Sequence, residues 1–174
     1  MGEIRVKKDA ETLFEAIHTG HAVYGTVHAD NAQDTIVRLT NPPIDIPKVM
    51  LNALGGIIVA FRHRSKSIRR VLEYGEVLRS GDVGVIYKWN PRNDTFPQIG
   101  DMTRLADTLM LYSGYSSKEI DDDIVEKAKV LNWMVKHDVL SVNDAGLVVA
   151  NYYRNKSRIL DMVNNDVQFS KDIF

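Results

Sequence analysis

The sequence contains no cysteine among its 174 residues. Disulfide bonds and thiolate metal sites are therefore excluded, and the absence fits a reducing compartment. Long apolar runs are missing too, because the longest, Gly55–Phe61 and Gly146–Ala150, fall far short of the roughly 20 residues of a spanning helix. The chain opens on charged residues without the apolar segment of a secretory signal. We therefore expect a cytoplasmic location.

An excess of charge of one sign is also absent. The chain has 22 Lys and Arg against 23 Asp and Glu, which gives a formal net charge of −1. No long-range basic field makes nucleic acid a default partner, and we expect no nucleic-acid binding. A hydrophobic fraction of 44% beside 26% charged residues is typical of a soluble globular protein that can bury a core.

The phosphate-binding loop Gly-x-x-x-x-Gly-Lys-Ser/Thr is a third absence. None of the 11 glycines is followed by lysine, so the chain has no such loop of its own. Nucleotide chemistry by this chain alone would lack the backbone N–H cradle and the lysine that hold the phosphates.

Helical periodicity and short β-rich segments alternate in the first part of the chain. Gly20 is a suitable terminator of the first helix, and Asp30 with Gln33 resembles a capping box at the start of the second. The segment between them is β-rich without a helical period, which predicts a strand buried on both faces. The predicted helices span Ala10–Thr19, Asp30–Leu39 and Lys48–Leu54, and the predicted strand spans Ala22–His28.

The pattern changes at Gly55 and again at Gly100. Three β-branched and aromatic runs separated by turn residues predict antiparallel strands, and the rest of the chain is helical in pattern. The formal charge is +2 before Asp101 (13 basic, 11 acidic) and −3 from Asp101 onward (9 basic, 12 acidic). These changes predict two domains, 1–100 and 101–174. The predicted strands lie in Gly55–Phe61, Ile68–Leu78 and Gly84–Trp89, and the predicted helices in Asp101–Ser113, Ser117–His137, Asn143–Tyr153 and Ser157–Asn164. Asp101 is the predicted cap of the first of these helices, and Ser116 or Ser117 that of the second.

The longest predicted helix, Ser117–His137, carries one regular apolar series. Its members recur at helical spacing and predict the face that the helix buries: Ile120, Ile124, Ala128, Leu131 and Val135.

Three histidines near the start are candidate site residues. His18, His21 and His28 could in principle ligate a metal, but their spacing is weak support for one. His18 is more typical of an exposed helix end, where the helix dipole favours it. His28 ends the predicted strand, where ligands of open α/β sheets bind, although a histidine held by backbone groups fits equally well. Composition and spacing alone give Glu3 no role.

Two charged clusters have both a functional and a structural interpretation. The basic segment Arg62–Arg70 could contact phosphates, but a solvated hairpin explains it better because no aromatic stacking platform is interleaved. The acidic residues between Glu119 and Glu126 occupy the first turns of a predicted helix, where the macrodipole stabilises negative charge. Their spacing does not match a calcium-binding loop.

Five short segments of the first 43 residues follow one another in a distinctive order. They are Gly2-Glu3-Ile4-Arg5, Leu13-Phe14-Glu15-Ala16, Thr19-Gly20-His21, Gly25-Thr26-Val27-His28-Ala29-Asp30 and Arg38-Leu39-Thr40-Asn41-Pro42-Pro43. In that order they resemble the secretion ATPase superfamily, the hexameric motors of type II and type IV secretion, type IV pili and the archaeal flagellum. The strand-rich segment that ends at Leu78 and the helical tail look like the archaeal branch.

The resemblance implies specific roles for five residues. Glu3 would end the Walker B strand and polarise the attacking water or support Mg²⁺, which makes it both the catalytic and the metal-binding carboxylate. His21 and His28 would sense the γ-phosphate in the family's histidine box. Arg5 and Thr26 would take part in binding the cofactors ATP and Mg²⁺. Such roles suit phosphoryl transfer, which depends on positioning and electrostatic stabilisation.

The resemblance also implies a fold and partners. The fold class is α/β: the C-terminal half of a RecA-like P-loop NTPase domain with antiparallel strands, followed by an all-helical C-terminal domain. The family's Walker A loop precedes its Walker B segment, so the chain is similar to the C-terminal portion of a longer motor. The implied partners are further copies in a hexamer and a membrane platform protein at the cytoplasmic face of the membrane. The alternative is a non-catalytic interaction module that docks to a motor or to that platform.

Overall fold

The structure, a computed structural model, describes residues 2–63 and 65–171 and has a mixed α/β architecture. The described chain forms two compact units, one up to Thr108 and one from Leu109, so the division falls within a helix. The predicted domains over 1–100 and 101–174 stay a prediction. The elements are α1 (Lys7–His18), α2 (Ala32–Thr40), a 3₁₀ helix (Lys48–Ala53), β1 (Gly56–His63), β2 (Ile68–Val77), β3 (Val83–Lys88), α3 (Arg104–Ser113), α4 (Ser117–Lys136), α5 (Val142–Arg154) and α6 (Lys156–Asn164).

Local hydrogen bonds set the ends of the first two helices. α1 begins earlier than predicted because the Asp9 carboxylate accepts from the backbone N–H groups of Arg5 and Val6, at 3.0 and 3.2 Å. It ends as predicted, with Gly20 in the left-handed region at φ 87°. α2 is capped by Asn31 rather than by the predicted Asp30, since Asn31 Oδ1 accepts from the Asp34 N–H at 2.8 Å. The third predicted helix is a 3₁₀ helix.

The three predicted antiparallel strands are confirmed and form one sheet in the order β1-β2-β3. The strand predicted over Ala22–His28 is wrong, because in this segment Thr26 forms an isolated parallel bridge to Glu3 and no ladder extends it. The predicted burial on both faces is wrong as well, since Tyr24 is 87% exposed. The β-rich composition of Ala22–His28 favours an extended backbone, but a strand also needs neighbouring strands that pair with it along its length.

Glu76 of β2 is buried and organises the start of α3. Its carboxylate accepts from the backbone N–H groups of Thr103 and Leu105, each at 2.9 Å, so the predicted cap at Asp101 is replaced by a carboxylate from the sheet. Arg104 donates to the backbone carbonyls of Asn52, Leu54 and Val77. These bonds fix the first turn of α3 to the sheet and to the 3₁₀ helix.

Each unit has its own apolar core. The first unit packs α1, α2 and the 3₁₀ helix around Phe14, Ile44 and Leu51. The helical unit packs α4, α5 and α6 around Trp133, Val148 and Ile159. No helix in residues 2–63 or 65–171 is long and apolar enough to cross a membrane.

The predicted buried face of α4 is largely wrong. Of the five residues in that series only Ile120 is buried, and Ile124, Ala128, Leu131 and Val135 are exposed. The helix instead buries Val130, Trp133 and Met134. Apolar residues cover more than one side of α4, and the side with the large Trp133 ring packs against the other helices. The predicted N-terminus is confirmed, because Ser116 and Glu119 form a capping box.

Candidate functional site

A parallel bridge brings the first residues of the chain beside the Thr26 segment. Glu3 pairs with Thr26, and the Ile4 N–H donates to the Thr26 carbonyl at 2.8 Å. The buried Ile4 side chain anchors this pairing in the core of the first unit. A Cβ atom at Gly25 would lie 2.8 Å from Leu13 Cδ1 and 3.2 Å from Ile4 Cδ1, so glycine lets this segment pack closely against both side chains. Residues from two separate segments thereby share one site.

The Glu3 carboxylate is the centre of this site. Its Oε2 accepts a hydrogen bond from the Arg5 guanidinium, and its Oε1 lies 3.3 Å from His28 Nε2. The Glu3 side chain is 22% exposed, whereas that of His28 is 81% exposed. The carboxylate is therefore held in place, while the imidazole remains accessible from solvent.

Positive charge surrounds this carboxylate. The hydrogen bond from Arg5 is the largest influence and lowers the pKa of Glu3; partial burial opposes it, and the charges of Arg5, His28 and Arg38 lower the pKa further. The result is a pKa below the ordinary value, so Glu3 is ionised at neutral pH. A carboxylate that stays ionised can accept a proton or coordinate a cation.

Arg38 of α2 was not among the predicted site residues. Its positive charge acts on Glu3 although the two residues are far apart in sequence. The available signal was its place in the Arg38-Leu39-Thr40 segment, which contributed to the family resemblance.

The other predicted site residues are arranged differently. His21 lies just beyond the end of α1. Its ring Nδ1 is 3.1 Å from Thr19 Oγ1, and its backbone N–H donates to the Ala16 carbonyl. Thr26 contributes its backbone to the bridge. The structure thus brings together Glu3, Arg5, Thr26 and His28, and its described bonds connect His21 to the helix end.

A resident metal centre is not built by the described residues. Within 2–63 and 65–171 no three His, Asp or Glu side chains are arranged to hold a metal ion, which includes the three histidines considered above. Mg²⁺ is compatible with a single protein carboxylate, since it retains several waters and takes further oxygens from substrate phosphates. Glu3 is the residue of this site that could provide that carboxylate.

Some residues of the basic segment Arg62–Arg70 and of the acidic cluster between Glu119 and Glu126 form ion pairs or caps. Arg70 forms an ion pair with Asp94, and Asp123 forms one with Lys127. Glu119 belongs to the capping box of α4. Arg64 of the basic segment lies outside the described residues. The acidic cluster is therefore consistent with the helix-capping interpretation.

Comparison with known proteins finds a family model that matches the first part of the chain. The model of the family described as "Type II/IV secretion system protein" matches residues 1–63, which contain the whole Glu3 site. Residues 1–63 are therefore similar to the type II/IV secretion system protein family. The resemblance noted in the sequence is confirmed.

Relatives of this chain occur in the archaeon Methanocaldococcus jannaschii. Uncharacterized protein MJ1287 is 33% identical over 147 residues, which cover 78% of this chain and 53% of the relative. Uncharacterized proteins MJ0781 and MJ0900 are 28% and 26% identical over 164 residues, which cover 88% of this chain and 23% and 30% of those relatives. The chain spans about half or less of the length of these curated relatives.

Proposed function

We propose that this chain is part of a hexameric ATPase motor that powers protein secretion or the assembly of a pilus or archaellum. The observation that carries the proposal is the Glu3 carboxylate, held by Arg5 and beside His28, within the segment that matches the secretion family. That family generally comprises ATPases. The parallel bridge between Glu3 and Thr26 is consistent with a RecA-like half-domain, whose strands are parallel.

In this proposal Glu3 is the catalytic carboxylate. It polarises the attacking water or supports Mg²⁺, and Arg5 holds it in one orientation. Its lowered pKa keeps it ionised, which both tasks require. ATP supplies the phosphoryl group, and Mg²⁺ neutralises part of the phosphate charge.

His28, His21 and Thr26 complete the proposed nucleotide-facing group. In the proposal His28 senses the γ-phosphate; its exposed imidazole, close to the Glu3 carboxylate, supports this role. His21, linked to the end of α1, would sense the same phosphate, and Thr26 and Arg5 would contribute to ATP binding. Further copies of the chain and a membrane platform protein at the cytoplasmic face are the proposed partners.

The test is the Glu3→Gln substitution in the complete protein that contains this chain. Gln is similar in size but cannot accept a proton or hold Mg²⁺ as a carboxylate does. We expect ATP turnover to fall by at least about a hundredfold with nucleotide affinity largely retained, because the loss acts on the transition state. Glu11→Gln, on the exposed side of α1, is the matched control and should leave turnover unchanged. Equal turnover in Glu3→Gln and wild type would exclude Glu3 as the catalytic residue.

The second candidate function is a non-catalytic interaction module that docks to a motor or to the platform. The exposed apolar side chains Ile124, Leu131 and Val135 of α4 favour it. ATP binding and turnover of the complete protein distinguish the two candidate functions. A complete protein that neither binds nor hydrolyses ATP supports the module, and turnover that depends on Glu3 supports the motor.

A further inference from the structure

The four residues that follow Glu3 all donate hydrogen bonds from their backbone N–H groups. The bonds run from Ile4 to the Thr26 carbonyl at 2.8 Å, from Arg5 and Val6 to Asp9 Oδ2 at 3.0 and 3.2 Å, and from Lys7 to the Pro43 carbonyl at 3.1 Å. Backbone carbonyls hold two of these N–H groups, and the Asp9 side chain holds the other two. The chain therefore follows a defined path from Glu3 into α1.

The Arg5 side chain, which holds the Glu3 carboxylate, lies largely in solvent. It is 71% exposed, and among residues 2–63 and 65–171 the hydrogen bond to Glu3 is the only one that its guanidinium forms. An exposed ion pair contributes little free energy, because ordering a long side chain costs entropy and water screens the charges. The direction from which Arg5 reaches Glu3 therefore depends on the backbone that carries the arginine.

Asp9 is the side chain that holds this backbone. It is partly buried in the first turn of α1, and the fully buried Ala10 beside it packs that turn against the core of the first unit. The hydrogen bond from the Arg5 N–H is the largest influence on the pKa of Asp9 and lowers it; the bond from Val6 lowers it further, and partial burial opposes both. Asp9 is therefore ionised at neutral pH, and its two hydrogen bonds are charge-assisted.

We propose that Asp9 is a positioning residue for Glu3 and acts through Arg5. Asp9 fixes the backbone of Arg5, the Arg5 guanidinium holds the Glu3 carboxylate, and Glu3 thereby keeps the orientation that turnover requires. This role rests on the ATPase function proposed above. A misplacement of about 1 Å at a reacting group can lower a rate about a hundredfold, so a residue that does not touch the nucleotide can still control turnover.

The alternative role for Asp9 is to stabilise the first turn of α1 and nothing more. Both roles predict a less stable chain when Asp9 is removed, so the free energy of unfolding does not distinguish them. The roles differ at Arg5, because only the positioning role requires the Arg5 guanidinium for the effect of Asp9 on turnover. A double-mutant cycle of Asp9 and Arg5 measures this dependence.

The experiment compares Asp9→Ala, Arg5→Ala and the double variant in the complete protein that contains this chain. Asp9→Ala should lower kcat at least about tenfold and leave the KM for ATP nearly unchanged, because the orientation of Glu3 acts on the transition state. In the Arg5→Ala background, Asp9→Ala should lower kcat by less than a further factor of about two. Asp9→Asn should restore part of the loss, since its side-chain oxygen can still accept a backbone N–H.

A second measurement on the chain itself does not depend on ATP turnover. In NMR spectra, the Arg5 guanidinium resonances should shift in Asp9→Ala in the same direction as in Glu3→Gln, because both substitutions weaken the same hydrogen bond. Glu11→Ala is the matched control, since it removes an exposed carboxylate from the same helix. It should leave the Arg5 resonances, kcat and KM unchanged.

The outcomes distinguish this proposal from the proposed function. Wild-type kcat in Asp9→Ala, additive losses in the cycle with Arg5, or unshifted Arg5 resonances would each overturn the positioning role while Glu3→Gln still abolishes turnover. Unchanged turnover in Glu3→Gln would overturn the ATPase function, and with it the effect of Asp9 on turnover. Circular dichroism verifies that each variant is folded, and Asp9→Asn takes the place of Asp9→Ala in the cycle if the alanine variant is not.

Discussion

The two compact units differ in what their interiors contain. The buried charged residues of the described chain, Glu73 and Glu76, both lie in the first unit, where they accept hydrogen bonds from helix N-termini. The helical unit buries apolar side chains around Val148 and Ile159, with the Trp133 indole N–H donating to the Val167 carbonyl.

This difference indicates two ways of attaching a helix. In the first unit, a carboxylate on a strand bonds directly to the N–H groups of a particular helical turn, which fixes the start of that helix. In the helical unit, burial of apolar surface holds the helices together, and that interaction is not directional. The first unit should therefore be sensitive to the loss of single polar groups, and the second to the loss of buried volume.

Glu76→Ala should have the largest effect and would sharpen this comparison most. Burial alone would raise the pKa of Glu76, but hydrogen bonds from Thr103 and the N–H groups of α3 keep it below the ordinary value. Removing the carboxylate leaves these buried donors without a partner, so we expect a loss of about 4 kcal/mol in the free energy of unfolding. Urea unfolding measures the loss in free energy, and hydrogen exchange is expected to locate it near α3. The control Glu11→Ala should change the free energy by less than about 0.5 kcal/mol.

Ile159→Ala tests how strongly the stability of the helical unit depends on buried side-chain volume. Ile159 is 1% exposed, and its truncation should cost about 3 kcal/mol through lost burial and the remaining cavity. Leu131→Ala, at a position of the predicted but incorrect buried face, should change the free energy of unfolding by less than about 0.5 kcal/mol. Both are measured by urea unfolding. Equal losses in Ile159→Ala and Leu131→Ala would indicate that Leu131 is buried, as the periodicity of α4 predicts.

The alkaline limb of stability should depend on Tyr152 of the helical unit. Burial, followed by a hydrogen bond to Glu126, raises the pKa of Tyr152 to about 12 from 10.0. A raised pKa gives stability that is fully present below pH 10 and is lost as the pH rises towards 12. Tyr152→Phe should therefore flatten the decline in this window, as measured by unfolding at a series of pH values. Tyr153→Phe, at an exposed neighbour, should retain the wild-type slope.

The stability of the first unit at acid pH should depend in part on Asp94. We expect this to be the smallest of the four effects. Hydrogen bonds from Arg70 and then Trp89 lower the pKa of Asp94 to about 2 from 3.8. A lowered pKa gives stability that is present above 3.8 and lost as the pH falls towards 2. Asp94→Asn should reduce the slope of unfolding free energy against pH in this window. Asp30→Asn is the control, and an identical slope in wild type and Asp94→Asn would contradict the assignment.

Local interactions were predictable wherever neighbouring residues suffice. The capping box of Ser116 and Glu119 and the left-handed Gly20 follow from residues within one turn of each other. Turn residues between β-rich runs likewise predicted the three antiparallel strands. The order of the short segments around Glu3 and His28 was sufficient to indicate the secretion family, because it depends on residue identity and spacing alone.

The tertiary structure decided which groups meet. Apolar residues lie on several sides of α4, so periodicity could not select Trp133 and Val130 over Leu131; contact with α5 and α6 made that choice. The bond between Glu76 and α3 joins residues distant in sequence, and no local pattern predicts it. The same holds for the placement of His28, rather than His21, beside Glu3. Short-range hydrogen bonds follow from the sequence because few conformations compete locally, whereas long-range pairs depend on how whole elements pack.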